Sequence, residues 1–287
     1  MQPTDLEPMV AGQLKVTVVR VEQFADVLFF DVENAHGTLP GWKAGAHVDI
    51  AVGIAGSRPY SLAGDPAGRD VYTFGVLRDP HSKGGSAFVH DHVAVGRSLM
   101  IGQPRNVFPL RPVTAREHVV LVGGGIGITP LLPMAYDLAR QGRNFSLHYV
   151  ARNPVLAPLL MRLPFRDHVT IHACSRARGQ AFDPQVLFAP AAAGQSQAVY
   201  VCGPEGMMDA VTQQAIARGV PAGSVYREQF APPAHRGHDA GEFEVVAARS
   251  GVSVRVVRDE TISDALIRMG VDVPVSCEVE AIVWKVR

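Results

Sequence analysis

The stretch His118-Val119-Val120-Leu121-Val122-Gly123-Gly124-Gly125-Ile126-Gly127-Ile128-Thr129-Pro130-Leu131-Leu132 decides the fold. Its first apolar run reads as a buried strand, the glycines as a turn, and the second apolar run as a helix. Glycine lacks a Cβ, so the backbone there can approach a ligand closely, and the helix start offers unpaired N–H groups to an anion. Thr129 and Pro130 suit an N-cap and a first helical position. Two familiar phosphate patterns fail. The dinucleotide fingerprint wants a glycine where Pro130 stands, and the P-loop wants Lys followed by Ser or Thr. The loop therefore points to a nucleotide without naming one; the alternative is a strand-to-helix turn with no ligand.

The chain has 287 residues, which predicts two or three domains. Lys+Arg and Asp+Glu balance at 27 each, so no global field favours nucleic acid or an anionic membrane. Cys174, Cys202 and Cys277 share no close spacing, which argues against a disulfide framework or a zinc cluster. The first seven residues lack a basic region and an apolar core, so no signal peptide is expected. Residues 119–139 are apolar, but their glycines, prolines and Asp137 argue against a membrane span. A soluble, cytoplasmic, monomeric protein is expected.

Working outward from the loop, the two halves of the chain differ in grammar. Up to Pro112, short β-prone runs (14–21, 27–32, 47–52 and 71–77) are separated by Gly/Pro turns, with one helical piece at 85–93. That pattern predicts an all-β barrel or sandwich. Beyond it, strands at 119–122, 145–151, 169–174 and 198–202 alternate with helices at 130–140 and 205–218. Such alternation predicts a parallel sheet whose ligand site lies at the carboxyl ends of its strands. The glycine loop, Ser175-Arg176 and Gly203-Pro204 all follow strands, so they should line one edge. Residues 231–241 read as a Pro/Gly/His-rich linker. A hairpin over 243–257 and a capped helix over 261–270 follow, in a segment of marginal size for its own core.

In the first half, Arg58-Pro59-Tyr60-Ser61 ends a strand. Arg could fork onto a phosphate, Tyr could lie against a flat ring, and Ser could hydrogen-bond its edge. Gly84-Gly85-Ser86 opens the helical piece and offers a second backbone site for an anion.

Together these pieces resemble the ferredoxin–NADP reductase superfamily, and within it the phthalate dioxygenase reductase-like oxidoreductases, which include the vanillate demethylase reductases. The carrying residues are Arg58–Leu62, Gly75–Asp79, Gly84–Ser86, Pro104–Phe108, Gly123–Pro130, Cys202–Pro204 and Glu228–Phe230, in the family's order across residues 10–232. The resemblance implies a flavin-binding antiparallel β-barrel (1–112), a parallel-sheet NAD(P)-binding α/β domain (113–230), a linker (231–241) and a partial β-grasp, ferredoxin-like segment (242–287). It implies FMN, with Arg58, Gly84, Gly85 and Ser86 on the phosphate. Tyr60 would pack on the flavin, Ser61 would approach its N5, and Leu62 with Gly75, Val76 and Leu77 would line the ring and ribityl chain. For NAD(P)H it implies Gly124, Gly125, Gly127 and Thr129 at the pyrophosphate, joined by Arg152, Ser175, Arg176 and Met207. Cys202, Gly203 and Pro204 would sit near the nicotinamide, and Phe230 would cover a flavin face. Ser61, Cys202 and Phe230 are thus the candidate catalytic residues, although Cys202 also reads as a small buried hydrophobe and Phe230 as core. NADH is favoured slightly over NADPH, since the family mostly uses it, while Ser175-Arg176 tolerates a 2′-phosphate.

The family's third domain is a plant-type [2Fe–2S] ferredoxin held by four cysteines. Here Cys277 is the sole candidate ligand in 242–287, so a truncated domain without a cluster is expected. The function this implies is a flavin-dependent NAD(P)H oxidoreductase. It would deliver electrons to a separate acceptor, either a Rieske-type oxygenase or demethylase, or a ferredoxin. A stand-alone flavin or ferric reductase and a catalytically silent nucleotide-binding protein are the alternatives.

Overall fold

The computed structural model describes residues 13–34, 37–68, 70–82, 84–175, 181–188, 196–230, 242–248, 250–257 and 260–271. Arg176, the linker 231–241 and Cys277 lie outside the described residues, and so do the readings made on them.

The first half builds strands β1 (Leu14–Phe24), β2 (Val27–Asn34), β3 (Ala46–Ala51), β4 (Ser57–Ser61) and β5 (Val71–Leu77). Helix α1 (Gly85–His92) and strands β6 (Ser98–Ile101) and β7 (Arg105–Asn106) complete it. The sheet runs β4-β3-β6-β1-β2-β5, with β7 on β3. An antiparallel bridge between Leu62 and Phe74 brings its two ends together. β3 shows why this half curls: Ala46, Val48 and Ile50 are buried while the residues between them are half-exposed. A strand with one wet face reads as this alternation. Its inward set packs with Val16, Val18, Phe30, Tyr72 and Phe74.

The second half contains β8 (Glu117–Gly124), α2 (Leu131–Arg140), β9 (Asn144–Ala151), α3 (Ala157–Leu160), β10 (Val169–Ala173), β11 (Ser196–Cys202), α4 (Glu205–Ala217) and β12 (Val225–Glu228). These strands form a parallel sheet in the order β10-β9-β8-β11-β12. β8 does not alternate. Val119 to Val122 are all at 0% exposure, because helices cover both faces of a parallel sheet. α2 packs on one face and α4 on the other.

The cluster beneath α2 does not stop at the sheet. Val27, Phe29, Ala44, Ala63 and Phe108 of the barrel belong to it, together with Leu121, Ile128, Leu131 and Tyr149. The connecting segment is pinned as well. Arg111 donates its backbone N–H to Tyr200 Oη at 3.0 Å, and its guanidinium pairs with the buried Glu117.

After the undescribed segment, β13 (Phe243–Ala247), β14 (Val252–Val256) and α5 (Ile262–Arg268) form a small hairpin-plus-helix unit. Thr261 caps α5 in a capping box with Asp264. The core of this unit is Val254, Val256 and Ala265.

Candidate active site

The glycine turn is built differently from its local sequence signature. β8 extends through Gly124, a 3-10 turn occupies Gly125–Ile128, and α2 starts at Leu131. Thr129 is therefore not an N-cap. It is helical itself, 1% exposed, and its hydroxyl donates to the Ile126 carbonyl at 2.9 Å. Its methyl group lies toward Gly75 of the barrel, where an added Cβ would come within 2.9 Å of Thr129 Cγ2. The expectation that Thr129 faces a pyrophosphate is corrected: it sits in the seam between the two halves.

The other glycines divide by what surrounds them. A Cβ on Gly127 would meet the Cys202 carbonyl carbon at 2.6 Å and the Gly203 nitrogen at 2.8 Å, so the turn is pressed against the end of β11. One on Gly124 would meet Pro204 and Met207. Gly125 has φ +56° and nothing within 4 Å, and it faces the cavity described next.

That cavity, of about 1110 Å³, runs along the carboxyl ends of β8, β9, β10 and β11. Gly124 to Gly127, Arg152, Cys174, Gly203, Pro204 and Met207 line it, as the parallel-sheet reading requires. Its barrel wall is formed by Asp26, Val27 and Leu77, and Phe230, 52% exposed, stands at its margin. Sequence reasoning missed Asp26, Tyr149 and Phe182, which also line it. Ser175, the residue after Cys174, is half-buried.

A second constellation lies on the barrel. Arg58 and Tyr60 on β4 face the start of α1, where a Cβ on Gly85 would reach Arg58 Cγ at 2.8 Å and Tyr60 Oη at 3.5 Å. Gly84 takes φ +100°, a left-handed conformation that favours glycine. Ser82 Oγ accepts from the N–H groups of Gly84 (3.2 Å) and Ser86 (3.3 Å), and Ser86 Oγ accepts from Asp79 N–H at 3.1 Å. Arg58, Tyr60, Gly84, Gly85 and Ser86 are thereby brought together, and Ser61 is buried at the end of β4. Leu62 and Val76 point into the barrel core, at 0% and 2% exposure. Their side chains present no surface to a ligand, so a ring could meet Leu62 and Val76 only through backbone.

Cys202 is also enclosed, at 0% exposure, so its sulfur forms no part of the cavity wall. Gly203 and Pro204 line the cavity, and the Cys202 side chain lies behind them. Its Cα partner across the sheet is Glu228 on β12. Burial pushes the Glu228 carboxyl up to about 7, and Oε2 finds no hydrogen-bond partner among the described residues. Burial and the neighbouring Glu228 push the Cys202 thiol up as well. A carboxyl titrating near neutrality beside a cleft is a functional-site signal that sequence reasoning passed over. Among the described residues no group of three or more His, Cys, Asp or Glu is arranged to hold a metal.

The chain is 40% identical to the vanillate O-demethylase oxidoreductase of Pseudomonas sp. (strain HR199 / DSM 7063) over 257 residues, 88% of this chain and 80% of that one. It belongs to the phthalate dioxygenase reductase-like oxidoreductases. The phthalate dioxygenase reductase of Burkholderia cepacia is 34% identical, over 94% of this chain and 84% of that one. A solved phthalate dioxygenase reductase, described as a modular structure for electron transfer from pyridine nucleotides to [2Fe–2S], superposes with a TM-score of 0.70 at 33% identity. That match covers 93% of this chain and 83% of that one. A type IV self-sufficient cytochrome P450 monooxygenase matches with a TM-score of 0.78 at 31% identity, where this chain spans 36% of the larger protein. No protein-family model matches. The fold is that of these oxidoreductases, an antiparallel barrel followed by a parallel sheet. No helix among the described residues is long and apolar enough to cross a membrane.

Proposed function

We propose that this phthalate dioxygenase reductase-like chain takes hydride from NAD(P)H onto FMN and passes electrons to a separate acceptor, a Rieske-type oxygenase or demethylase, or a ferredoxin. The observation that carries the reading is the cavity that begins at the carboxyl ends of the parallel strands and ends on Val27 and Leu77 of the barrel. Two binding regions must converge for a hydride to pass between them, and this cavity joins the two halves.

The residues fit both groups. Gly125 leaves open space where a pyrophosphate would approach backbone, with Arg152 and Ser175 at the far ends of β9 and β10 for its anionic and ribose parts. NADH is favoured slightly over NADPH. On the barrel, Arg58 with the backbone of Gly84, Gly85 and Ser86 would hold the FMN phosphate, Tyr60 would pack on the ring, and Ser61 would lie at its N5 edge. A flavin held there supplies the change from two-electron to one-electron chemistry. The chain itself positions, excludes water through Phe230, and holds a proton on the enclosed Glu228 carboxyl below about pH 7.

Within residues 1–287 alone, a [2Fe–2S] cluster of the plant type does not fit. It takes four thiolates, and this sequence supplies three cysteines, of which Cys202 ends β11 and Cys174 follows β10. A second reading is a flavin or ferric reductase serving free acceptors. Anaerobic addition of NADH to the yellow purified protein should bleach it, with stoichiometric flavin and no iron on analysis. A colourless protein that binds nucleotide would sink the oxidoreductase reading, and stoichiometric iron would sink the cluster-free one. Fast electron transfer to a Rieske protein rather than to ferric complexes decides between the two acceptors.

A further inference from the structure

A row of hydrogen-bonded side chains crosses the parallel sheet on the face that α4 covers. His118 Nε2 lies 3.1 Å from Ser146 Oγ, Ser146 Oγ lies 3.0 Å from His148 Nε2, and His148 Nδ1 lies 3.0 Å from His172 Nε2. These residues come from the three neighbouring strands β8, β9 and β10. His148 is 7% exposed. The His172 ring stacks on His148 with centroids 5.3 Å apart, and its other contact is Phe182, edge-on at 5.2 Å. Phe182 lines the cavity, as does Cys174, whose thiol donates to the His172 carbonyl at 3.8 Å. The last histidine of the row therefore supports the cavity wall.

The chemistry of the row is restrictive. Between His148 Nδ1 and His172 Nε2 there is room for one proton. With both rings neutral, one donates and the other accepts; one added proton leaves that bond intact; two charged rings set N–H against N–H. Among the described residues, the side chains packed on this face offer such charges no carboxylate. α4 turns Met208, Val211 and Ala215 toward this face, and the 181–188 segment adds Leu187 and Phe188. At the lower end stand Asn144, hydrogen-bonded to His118, and His168, which opposes a charge on His118. Burial, with His172 and His118 adding repulsion, holds His148 down at about 4, and burial lowers His172 and His118 too.

We propose that the His118–Ser146–His148–His172 row is an acid-sensitive brace for the nucleotide cleft: while neutral it holds Phe182 in the cavity wall, and protonating the His148–His172 pair releases that wall and weakens nucleotide binding. His172 is a positioning residue in this scheme, since it reaches the ligand through Phe182. The proposal rests on the reading that the cavity takes NAD(P)H.

Two measurements on the flavin-loaded protein test it. Imidazole ¹⁵N shifts should show His148 still neutral at pH 6, where an ordinary histidine is mostly protonated. An unshifted titration near 6.5 would overturn the brace without involving any nucleotide. The Kd of NAD+, an acid-stable probe, should be flat from pH 8 to 6, rise by about a third at pH 4.5 and roughly double at pH 4. His172→Gln places an untitratable amide nitrogen opposite His148, so it should bind NAD+ within about twofold of wild type at pH 7.5 and lose the acid limb. His172→Ala should bind weakly at both ends of the range. A His172→Gln profile that overlays wild type would overturn the proposal. Absence of NAD+ binding at every pH, with the histidines still titrating low, would instead overturn the nucleotide reading, and the brace would fall with it.

Discussion

In the turn between β8 and α2, Gly127 is crowded by backbone, because a Cβ there would stand 2.6 Å from the Cys202 carbonyl carbon. At the barrel corner where β4 meets α1, Gly85 is crowded by a side chain, since a Cβ there would reach Arg58 Cγ at 2.8 Å. Backbone at the end of a central strand cannot retreat, whereas a long arginine can change rotamer. The first region is therefore a rigid joint at the edge of the cavity, and the second a corner whose parts can adjust to the phosphate proposed for it. Gly125 separates the roles within a single turn, since a Cβ there would meet nothing within 4 Å among the described residues and it lines the cavity.

Substitutions can break this comparison. The largest effect is expected for Gly127→Ala, which should lower stability by about 3 kcal/mol through overpacking, read as a shifted urea midpoint. Gly125→Ala, by contrast, should cost about 1 kcal/mol for its left-handed backbone while raising KM for NADH, because its new methyl group enters the cavity. Equal stability losses at the two positions would erase the distinction between joint and ligand surface.

Arg58→Ala comes next. Loss of a charge-assisted contact should weaken FMN binding roughly tenfold to a hundredfold, read by flavin fluorescence, with stability of the apoprotein almost unchanged. Unaltered FMN affinity would remove Arg58 from the site. The smallest effect concerns Glu228. Its carboxyl is raised to about 7 in the fold, so the stability it contributes is fully present below the unfolded value near 4.5 and is lost as pH rises through about 7. Wild type should lose roughly 1 kcal/mol between pH 6 and 8 that Glu228→Gln does not lose. Parallel pH profiles would show that the carboxyl is not held protonated.

Much of this molecule is written in local pattern. The unbroken run Val119–Val122 declares a strand buried on both faces, and the alternation of Ala46, Val48 and Ile50 declares one with a wet side. Arg58-Pro59-Tyr60 and Gly84–Ser86 are also legible, because each is a contiguous group placed by its neighbours. What stayed hidden depends on register. Glu228 matters because β12 pairs in parallel with β11 and sets it opposite Cys202, 26 residues earlier by number. His148 and His172 meet for the same kind of reason, across β9 and β10. Thr129 misled because Thr-Pro is a good helix start in isolation, whereas the 3-10 turn before it moves the start to Leu131.

The cluster that unites Phe29, Ala63 and Phe108 with Leu121, Ile128 and Tyr149 bears on how such a protein can be taken apart. Barrel and sheet would look like interchangeable cassettes from their sequence grammar. With Thr129 lodged against Gly75 and a common core behind them, neither half carries a finished surface on that side. A chimera that exchanges one half for a relative's must bring the matching seam with it.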